Sequence, residues 1–514
     1  MVQTSKVNAT AGVGKGGLAG ILMTLGIVFG DIGTSPLYVM KAITHTGEAL
    51  TENYVLGALS CIIWTLTLQT TIKYVLIALR ADNHGEGGIL ALYALLRRHK
   101  RRWIYAIAVI GASTLLADGV ITPAITITTA IEGLRGINPD IPVLPVAIAV
   151  ITVVFFVQRF GTEHVGRSFG TFMLLWFMLL GVVGLMWLIG CPQVLKAFNP
   201  YYAARLLIES PVWFLVLGAV FLCTTGAEAL YSDLGHCGKH NIAISWIFVK
   251  IMLILNYLGQ GAWVLANPVR AAGNDNPFYA IMPDGMLLFA VFMATGAAIV
   301  ASQALISGSF SILSEAMNLN FWPRMRIKHP TNVKGQIYIP TVNGFMYVAV
   351  VFTVLLFGDS SRMEAAYGLA ITITMLMTTL LLGFYLRKMS APRFVGLYCV
   401  LEGLFLAANM SKFVAGGWFT LLIGGLLCFI MFVWISARKI RSRYLRIKKL
   451  SDYHDIISAI KADNSIPKYA SNLVYVNHAP TEGGVDDKLL YSIINKQPKR
   501  ADHYWLLHIE FVDA

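Results

Sequence analysis

Long apolar runs dominate this sequence and limit the folds that it can adopt. Twelve are long enough to cross about 30 Å of hydrocarbon at about 1.5 Å of helix rise per residue. They fall at about 17–40, 53–79, 103–133, 141–158, 169–190, 211–233, 242–266, 284–317, 338–357, 364–387, 391–409 and 416–437. Only 13% of the residues are charged, against about 25% in soluble domains. The sequence therefore predicts an all-α polytopic membrane protein.

The basic residues orient these spans. The densest basic segments are "RRHKRR" at 97–102, "RMRIKH" at 324–329 and "RKIRSRYLRIKK" at 438–449, and all three share one side if the N-terminus is inside. By the positive-inside rule that side is the cytoplasm. We therefore expect a multi-pass protein of the cell membrane with both termini in the cytoplasm. The net charge of +13 is explained by topology and does not require nucleic acid as a partner.

Composition also predicts the domain organisation. Residues 1–16 lack the order of a cleavable signal and predict a cytoplasmic tail. Residues 17–437 form the transmembrane domain and 438–450 a basic juxtamembrane linker. The segment 451–514 contains "NLVYV", "DDKLLYSIIN" and "YWLLHIEFV", a β-α-β pattern that predicts a small α/β cytoplasmic domain. Its second strand would leave an open sheet edge, so we expect the natural chain to extend further.

The segment "GIVFGDIGTSPLY" places an acidic residue inside the first apolar run. A carboxylate at the bilayer centre costs about 2.5–3.5 kcal/mol, so Asp31 suggests a function. Gly30 and Gly33 relax the helix and Pro36 removes a donor, which predicts a break beside Asp31 that frees carbonyl oxygens. Alternatively, Asp31 only caps the second half-helix through the amide of Thr34.

The sixth apolar run repeats this pattern in "LCTTGAEALYSDLG". Gly226 precedes Glu228 there, five spans after Asp31. Transporters built from five-plus-five inverted repeats have broken helices at matching positions, so we expect a second break at Gly226. The alternative is a chance Gly and Glu within an ordinary helix.

Spans three and ten supply further oxygen atoms. Asp118, Thr122 and Thr126 are four residues apart and share one helical face, and Pro123 would free a further carbonyl oxygen. Tyr367 in span ten could turn its ring or hydroxyl toward a cation. The threonines could equally be packing residues, and Tyr367 an interfacial or packing residue.

Four other charges near the ends of spans are less specific. Lys73 and Lys250 lie close enough to the inner surface to be interpreted as snorkelling side chains. Glu132 and Glu315 could guard entrances or simply terminate helices.

These candidate ligands are carboxylates, hydroxyls, carbonyls and aromatic rings, without an intramembrane His or Cys cluster. Such oxygens suit K⁺ or Na⁺ better than transition metals, and they do not distinguish the two ions. With two membrane carboxylates, one can balance the cation while the other exchanges a proton. The residues alone thus predict a cation transporter with proton coupling at Glu228.

Five segments resemble one family throughout the membrane region. "GIVFGDIGTSPLY", "RADNHGEGGILALYALL", "LADGVITPAI", "TTGAEALYSDLGH" and "NFWPR" are similar to the KUP/HAK/KT potassium uptake permeases. The resemblance implies twelve transmembrane helices, a leucine-transporter-type inverted-repeat core with broken first and sixth spans, and proton-coupled K⁺ uptake. It also implies a homodimer with a cytoplasmic C-terminal domain.

The resemblance also implies residue roles. The implied K⁺ ligands are Asp31, Tyr38, Thr122, Thr126, Thr225, Glu228 and Tyr367. Glu228, Asp118 and Asp31 become proton-coupling candidates, and no cofactor besides the transported K⁺ and H⁺ is implied. Thr126 stands where many members have Ser, which keeps the hydroxyl. Some bacterial members resemble cyclic di-AMP receptors in the C-terminal domain, which is shorter here, so regulation by cyclic di-AMP is an expectation without assigned residues.

Three rival functions fit these residues less well. In an organic-solute symporter of the same fold the first break binds a substrate carboxylate, which Asp31 would repel. A K⁺ channel would need a filter such as TVGYG, which does not occur in the sequence. An enzyme would need a nucleophile and a base, and we place no such pair in 451–514.

Overall fold

The computed structural model describes residues 17–99, 102–160, 163–273, 275–283, 285–330, 337–386, 392–444, 446–477 and 483–508. The predicted tail at 1–16 lies outside these residues. The described residues form two compact units, one within 1–319 and 324–429 and the other within 320–323 and 430–514.

Helices make up almost all of the first unit. In chain order they are α1 (Leu18–Val28), α2 (Gly30–Thr34), α3 (Val39–Thr44), α4 (Glu52–Thr65), α5 (Ile89–Leu96), α6 (Arg102–Glu132), α7 (Val143–Val157), α8 (Glu163–Gly190), α9 (Pro200–Glu209), α10 (Trp213–Val220), α11 (Ala227–Ser232), α12 (Leu234–Cys237), α13 (Lys239–Ala266), α14 (Pro268–Ala272), α15 (Pro277–Ala280), α16 (Leu287–Asn318), α17 (Pro340–Phe357), α18 (Ser360–Leu386), α19 (Pro392–Met410) and α20 (Trp418–Tyr444), the last of which continues into the second unit.

The helices confirm a multi-pass membrane protein. Among the described residues, ten helices are long and apolar enough to cross a membrane, and the bent pair Leu18–Val28 and Gly30–Thr44 makes eleven. These match every predicted span except 391–409. That run corresponds to α19, whose apolar part, Val395–Met410, is shorter than the other spans.

Small residues allow the membrane helices to approach closely. A Cβ atom on Gly259 of α13 would lie 2.5 Å from the Cα of Gly184 on α8. A Cβ on Gly170 of α8 would lie 2.2 Å from the carbonyl oxygen of Leu22 on α1. These contacts bring α1, α8 and α13 together at distances that larger side chains would prevent.

The second span changes its winding partway along. It begins as α4 and continues as a π-helix over Leu66–Ile77. π-helical windings are rare and are frequently found at functional sites, where they shift side chains relative to a regular helix. The apolar pattern of 53–79 gave no indication of this change.

Beyond the end of α20, the described residues of the second unit form two short strands, two longer strands and two α-helices. Its elements are β1 (Ile447–Lys449), α21 (His454–Ala462), β2 (Lys468–Asn477), β3 (Gly484–Asp486), α22 (Asp487–Leu490) and β4 (Arg500–His508). β1 pairs with β3 in antiparallel orientation and β2 with β4 in parallel, with Leu473 opposite Tyr504. The helical segment 487–495 lies in the chain between the parallel strands, which gives a β-α-β unit.

Candidate functional site

The first span is interrupted immediately before Gly30. Phe29 leaves the helical conformation, with φ −101° and ψ 12°, and the axis bends by 68° there. Gly30 and Gly33 are themselves helical in α2, so they permit close packing rather than forming the break. A Cβ on Gly30 would lie 2.9 Å from the Cα of Ala301, and one on Gly33 would lie 2.8 Å from the ring of Phe177.

Side chains behind this break satisfy its carbonyl groups. Pro36 lies in a 3₁₀ turn over Ser35–Leu37, between α2 and α3. The indole of Trp176 donates to the Gly33 carbonyl (2.9 Å), and the amide of Gln260 donates to that of Pro36 (3.0 Å). The amide of Asn276 donates to the carbonyl oxygen of Leu37 (2.8 Å). These three side chains therefore satisfy carbonyl groups at the interrupted part of the first span.

The sixth span is interrupted where the sequence predicts it. After α10 and a 3₁₀ turn over Phe221–Thr224, Thr225 is extended with ψ 141°, and Gly226 has φ 84° before α11 begins. A Cβ on Gly226 would lie 2.8 Å from the amide nitrogen of Ile32 and 3.0 Å from the Cβ of Asp31. The breaks of the first and sixth spans are therefore in direct contact.

Asp31 lies at this contact and is only 2% exposed. Its Oδ1 accepts a hydrogen bond of 2.9 Å from the Tyr367 hydroxyl, whereas Oδ2 has no hydrogen-bond partner among the described residues. The Thr34 hydroxyl donates to the Asp31 backbone carbonyl, and the carboxylate does not cap α2. The capping alternative therefore does not account for Asp31.

Three hydroxyl groups from the two breaks meet beside Asp31. The Thr225 hydroxyl lies 2.7 Å from the Ser35 hydroxyl and 3.1 Å from that of Tyr38. The rings of Tyr38 and Tyr367 pack edge to face with centroids 6.0 Å apart. Asp31, Tyr38, Thr225 and Tyr367 thus form one buried cluster, to which Ser35 is an addition that the sequence did not indicate.

A small cavity joins the acidic residues of three spans. Asp31, Asp118 and Glu228 all line it, together with Leu115, Gly226, Ala229, Leu305, Ile371 and Thr374. Glu228 accepts a hydrogen bond at Oε1 from the Tyr74 hydroxyl, and its Oε2 is a second buried oxygen without a hydrogen-bond partner in the described protein. Across the described ranges, no three His, Cys, Asp or Glu side chains are grouped closely enough to hold a metal ion.

The threonines of the third span are bonded mainly within their own helix. α6 continues through Pro123 without a break. The Thr122 hydroxyl approaches Asp118 Oδ1 at 3.4 Å, and the Thr126 hydroxyl donates back to the Thr122 carbonyl at 2.7 Å. Thr122 is therefore joined to an acidic residue of the cavity, while Thr126 shows the local bonding of a packing threonine.

Lys73 contradicts the snorkelling interpretation. It is 1% exposed, and its ammonium lies 2.5 Å from Glu402 Oε1 and 2.9 Å from the Met375 carbonyl. Lys250 is partly buried and donates to the hydroxyls of Thr67 and Thr71. Glu402 lies within the eleventh apolar run, so the signal that identified Asp31 could have identified it as well.

Glu132 belongs to a separate polar cluster at the end of the third span. It forms an ion pair of 3.3 Å with Lys41 and accepts hydrogen bonds from the amide and the hydroxyl of Ser360. These contacts join α3, α6 and α18.

Interrupted spans that meet at buried carboxylates, within a bundle of membrane helices, define a membrane transport protein. Residues 18–439 match the family model described as the K⁺ potassium transporter integral membrane domain. The chain belongs to this potassium transporter family.

Curated relatives agree with this assignment. The probable potassium transport system protein Kup of Cytophaga hutchinsonii is 52% identical over 506 residues, covering 96% of this chain and 77% of the relative. Kup of Flavobacterium psychrophilum is also 52% identical, with the same coverage. The probable potassium transport system protein Kup 2 of Lactococcus lactis subsp. cremoris is 48% identical, covering 96% of this chain and 76% of the relative.

Solved structures give a much weaker likeness. The manganese transporter of Eremococcus coleocola shares 11% identity with a TM-score of 0.43, covering 86% of this chain and 99% of that one. A likeness at this level supports no argument about the site.

Proposed function

We propose that this chain imports K⁺ across the cell membrane together with protons, as a secondary active symporter that works by alternating access. The observation that carries the proposal is a pair of buried carboxylate oxygens, Asp31 Oδ2 and Glu228 Oε2. Both belong to residues lining one cavity, and neither accepts a hydrogen bond from the described protein. Buried polar atoms normally have partners, and a transported cation and a transported proton supply them. Family membership makes K⁺ the transported cation.

The proposed K⁺ site is centred on the contact between the two breaks. Carboxylate and hydroxyl oxygens suit a hard monovalent cation. Asp31, Tyr38, Thr225 and Tyr367 form the buried cluster there, and Glu228 lines the adjoining cavity. The complete proposed ligand set is Asp31, Tyr38, Thr122, Thr126, Thr225, Glu228 and Tyr367.

The proton is assigned to the same cavity. Glu228 is the principal proton carrier, with Asp118 and Asp31 as further candidates. With two carboxylates on one cavity, one can balance K⁺ while the other releases its proton. We infer that both ions load from outside between the interrupted spans, that the core rocks, and that both leave to the cytoplasm.

Coupling to protons gives a large energetic advantage. One charge moving through about 100 mV releases about 2.3 kcal/mol, which supports roughly 50-fold accumulation. Two charges moving together support roughly 2,000-fold accumulation. Uptake from a K⁺-poor medium needs the larger ratio.

We also propose the architecture of the whole chain. α19, the eleventh apolar run, serves as a shorter membrane span and brings the total to twelve. The first ten spans form a five-plus-five inverted repeat, which is supported by the matched interruptions before Gly30 and at Gly226. The membrane domain at 17–437 lies in the plasma membrane with both termini cytoplasmic, followed by the linker 438–450 and the domain 451–514. A homodimer and regulation by cyclic di-AMP are further proposals that rest on the family resemblance.

Two alternative functions differ from K⁺–proton symport in the chemistry that they require. A channel-like uniporter would carry K⁺ without protons and would give Glu228 no proton to carry. An organic-solute symporter would present positive amide groups at the first break, whereas here the carboxylate of Asp31 lies there.

The proposal is tested by Rb⁺ uptake into proteoliposomes with simultaneous recording of internal pH. We expect Rb⁺ influx with internal acidification. Asp31→Asn should reduce Rb⁺ uptake at least tenfold because it removes the charge that balances the cation. Glu228→Gln should abolish the dependence of uptake on external pH because the amide cannot carry a proton.

Asp452→Asn, an exposed acidic residue of the second unit, is the matched control and should retain wild-type uptake. Rb⁺ influx without proton influx would refute symport. Normal uptake by Asp31→Asn would refute its role as a ligand, and an unchanged pH dependence in Glu228→Gln would refute its role in coupling.

A further inference from the structure

A polar cluster of Lys41, Glu132 and Ser360, here called the outer cluster, joins three of the four spans that carry proposed K⁺ ligands. The Lys41 ammonium lies 3.3 Å from Glu132 Oε2 and donates to the Ser360 hydroxyl at 3.4 Å. Ser360 donates to the Glu132 carboxylate from its amide (2.9 Å) and from its hydroxyl (2.6 Å). In the described protein, every hydrogen bond to this carboxylate thus comes from another span.

The outer cluster lies about two helical turns from the proposed K⁺ site. Ser360 is seven residues before Tyr367 on α18, and Glu132 is six residues after Thr126 on α6. At about 1.5 Å of rise per residue, these separations are about 10 Å and about 9 Å. Lys41 is on α3, which follows the interruption of the first span. In the proposed topology, all three positions are on the outer side of the site.

The short helix α15, between the seventh and eighth spans, ties two of the same spans together. The side-chain amide of Asn276, at its start, donates to the Leu37 carbonyl in the first span (2.8 Å). The Tyr279 hydroxyl donates to the Ala130 carbonyl in the third span (2.8 Å). Its ring packs so closely on the end of that span that a Cβ on Gly133 would lie 2.4 Å from it. The outer parts of the first and third spans are therefore joined twice, by the outer cluster and by α15.

These contacts separate the proposed K⁺ site from the outer surface. The side chains of Lys41 and Glu132 are 12% and 9% exposed, whereas Tyr38 and Tyr367 are fully buried. Loading from outside by alternating access needs a gap between helices on that side. Since Glu132 links the first and the tenth spans to the third, opening a gap between these spans breaks its contacts.

We propose that Lys41, Glu132 and Ser360 form the outer gate of the K⁺ pathway, which is closed in this structure and breaks each time the site opens to the outside. The ammonium, amide and hydroxyl make charge-assisted bonds to one carboxylate, which stabilise the closed arrangement. Because the cluster is only partly buried, water replaces these bonds as the spans separate, whereas a fully buried pair would be left with unpaired charges. The inference rests on alternating access in the proposed function.

A reporter cysteine between the gate and the site provides the test. Met363 is fully buried and shares a face of α18 with Ser360, three residues before it, and Tyr367, four residues after it. Met363→Cys should react slowly with a membrane-impermeant thiosulfonate applied to intact cells. Glu132→Gln and Lys41→Met each remove a charge from the gate, and either one should raise the reporter's rate at least fivefold by favouring the open state. The same variants without the reporter give the background from the natural cysteines.

Two further variants are matched controls. Arg135→Gln removes an exposed ion pair of 3.7 Å with Asp359, which joins the same ends of the third and tenth spans without a bond to Glu132. Exposed pairs contribute little, so the reporter should keep its wild-type rate. Lys41→Arg retains the charge and should also keep that rate. Ser360→Ala removes only the hydroxyl and should give a smaller rise, which serves as the second measurement if a charge variant does not reach the membrane.

A second reporter on the inner side distinguishes gating from general loosening. Leu381 is fully buried and follows Thr374, which lines the cavity, by seven residues, so both lie on one face of α18. In opened cells, the gate variants should not raise the rate at Leu381→Cys, because a larger outward-open population leaves the inner side closed for more of the time. Rates that rise at both reporters together would overturn the gate and leave the outer cluster as a structural tie.

The outcomes separate this inference from the function on which it rests. Unchanged labelling of Met363→Cys in both charge variants, with wild-type protein that takes up Rb⁺ together with protons, would overturn the gate alone. Rb⁺ influx without protons would refute symport, while the expected labelling would still support the gate. Fast labelling of both reporters without any gate substitution would contradict alternating access and the closed gate with it.

Discussion

At the scale of single residues, Gly226 is the position where local geometry matters most. Its φ of 84° is rarely adopted by residues with a side chain, and its α-carbon lies against Asp31 and Ile32. A glycine therefore meets two requirements at once, a left-handed turn within the sixth span and contact with the break of the first.

Gly226→Ala should destabilise the site and reduce transport. The left-handed conformation costs about 1–2 kcal/mol with a Cβ, and that Cβ would lie 2.8 Å from the Ile32 amide nitrogen, which forces the breaks apart. We expect at least a tenfold loss of Rb⁺ uptake. Gly308→Ala is the control, because a Cβ there meets no atom within 4 Å. Equal uptake by the two variants would contradict the assigned contact.

At the scale of elements, the interrupted first span depends on helices that, in the described protein, form no hydrogen bond with the Asp31 carboxylate. Trp176 on α8 and Gln260 on α13 donate to the carbonyls of Gly33 and Pro36. These donors keep the freed carbonyls satisfied behind the break. The carboxylate of Asp31 and its neighbouring hydroxyls are thus positioned by hydrogen bonds from a second layer of helices.

Trp176→Phe should weaken K⁺ binding by loosening this break. Losing the indole donor leaves the buried Gly33 carbonyl unsatisfied, which should lower the free energy of unfolding by about 1–3 kcal/mol. Trp187→Phe is a matched control, because its indole donates to the Ile281 carbonyl outside the break. We expect thermal unfolding to show losses in both variants, whereas the half-saturating Rb⁺ concentration should rise only in Trp176→Phe. An unchanged half-saturation there would contradict the account.

At the scale of the whole molecule, the proposed orientation rests on the distribution of basic residues and has a direct test. Ser451→Cys, in the second unit, should react with a membrane-impermeant maleimide only after the cells are opened. Asp140→Cys, in the connection between the third and fourth spans, should react in intact cells. Unsubstituted protein provides the background from its six natural cysteines. The reverse labelling pattern would contradict the proposed topology.

The sequence predicted features that depend on local pattern. Apolar run length identified the membrane helices, and an acidic residue beside Gly identified Asp31 and Glu228. Contacts between distant residues could not be read in this way. Tyr367 reaches Asp31 across 336 positions, and Lys73 reaches Glu402 across 329. The position of Lys73 near a helix end favoured snorkelling, but the packing of α18 and α19 determined its burial.

The most direct test of the account is accumulation driven by a proton gradient alone. Proteoliposomes would hold equal Rb⁺ inside and outside, with the outside one pH unit more acidic and thiocyanate as a permeant anion to keep the membrane potential near zero. For one proton per cation, internal Rb⁺ should rise about tenfold above external Rb⁺, since one pH unit corresponds to about 1.36 kcal/mol. The rise should be absent in Glu228→Gln. Internal Rb⁺ that never exceeds the external concentration in the wild-type protein would contradict the central claim.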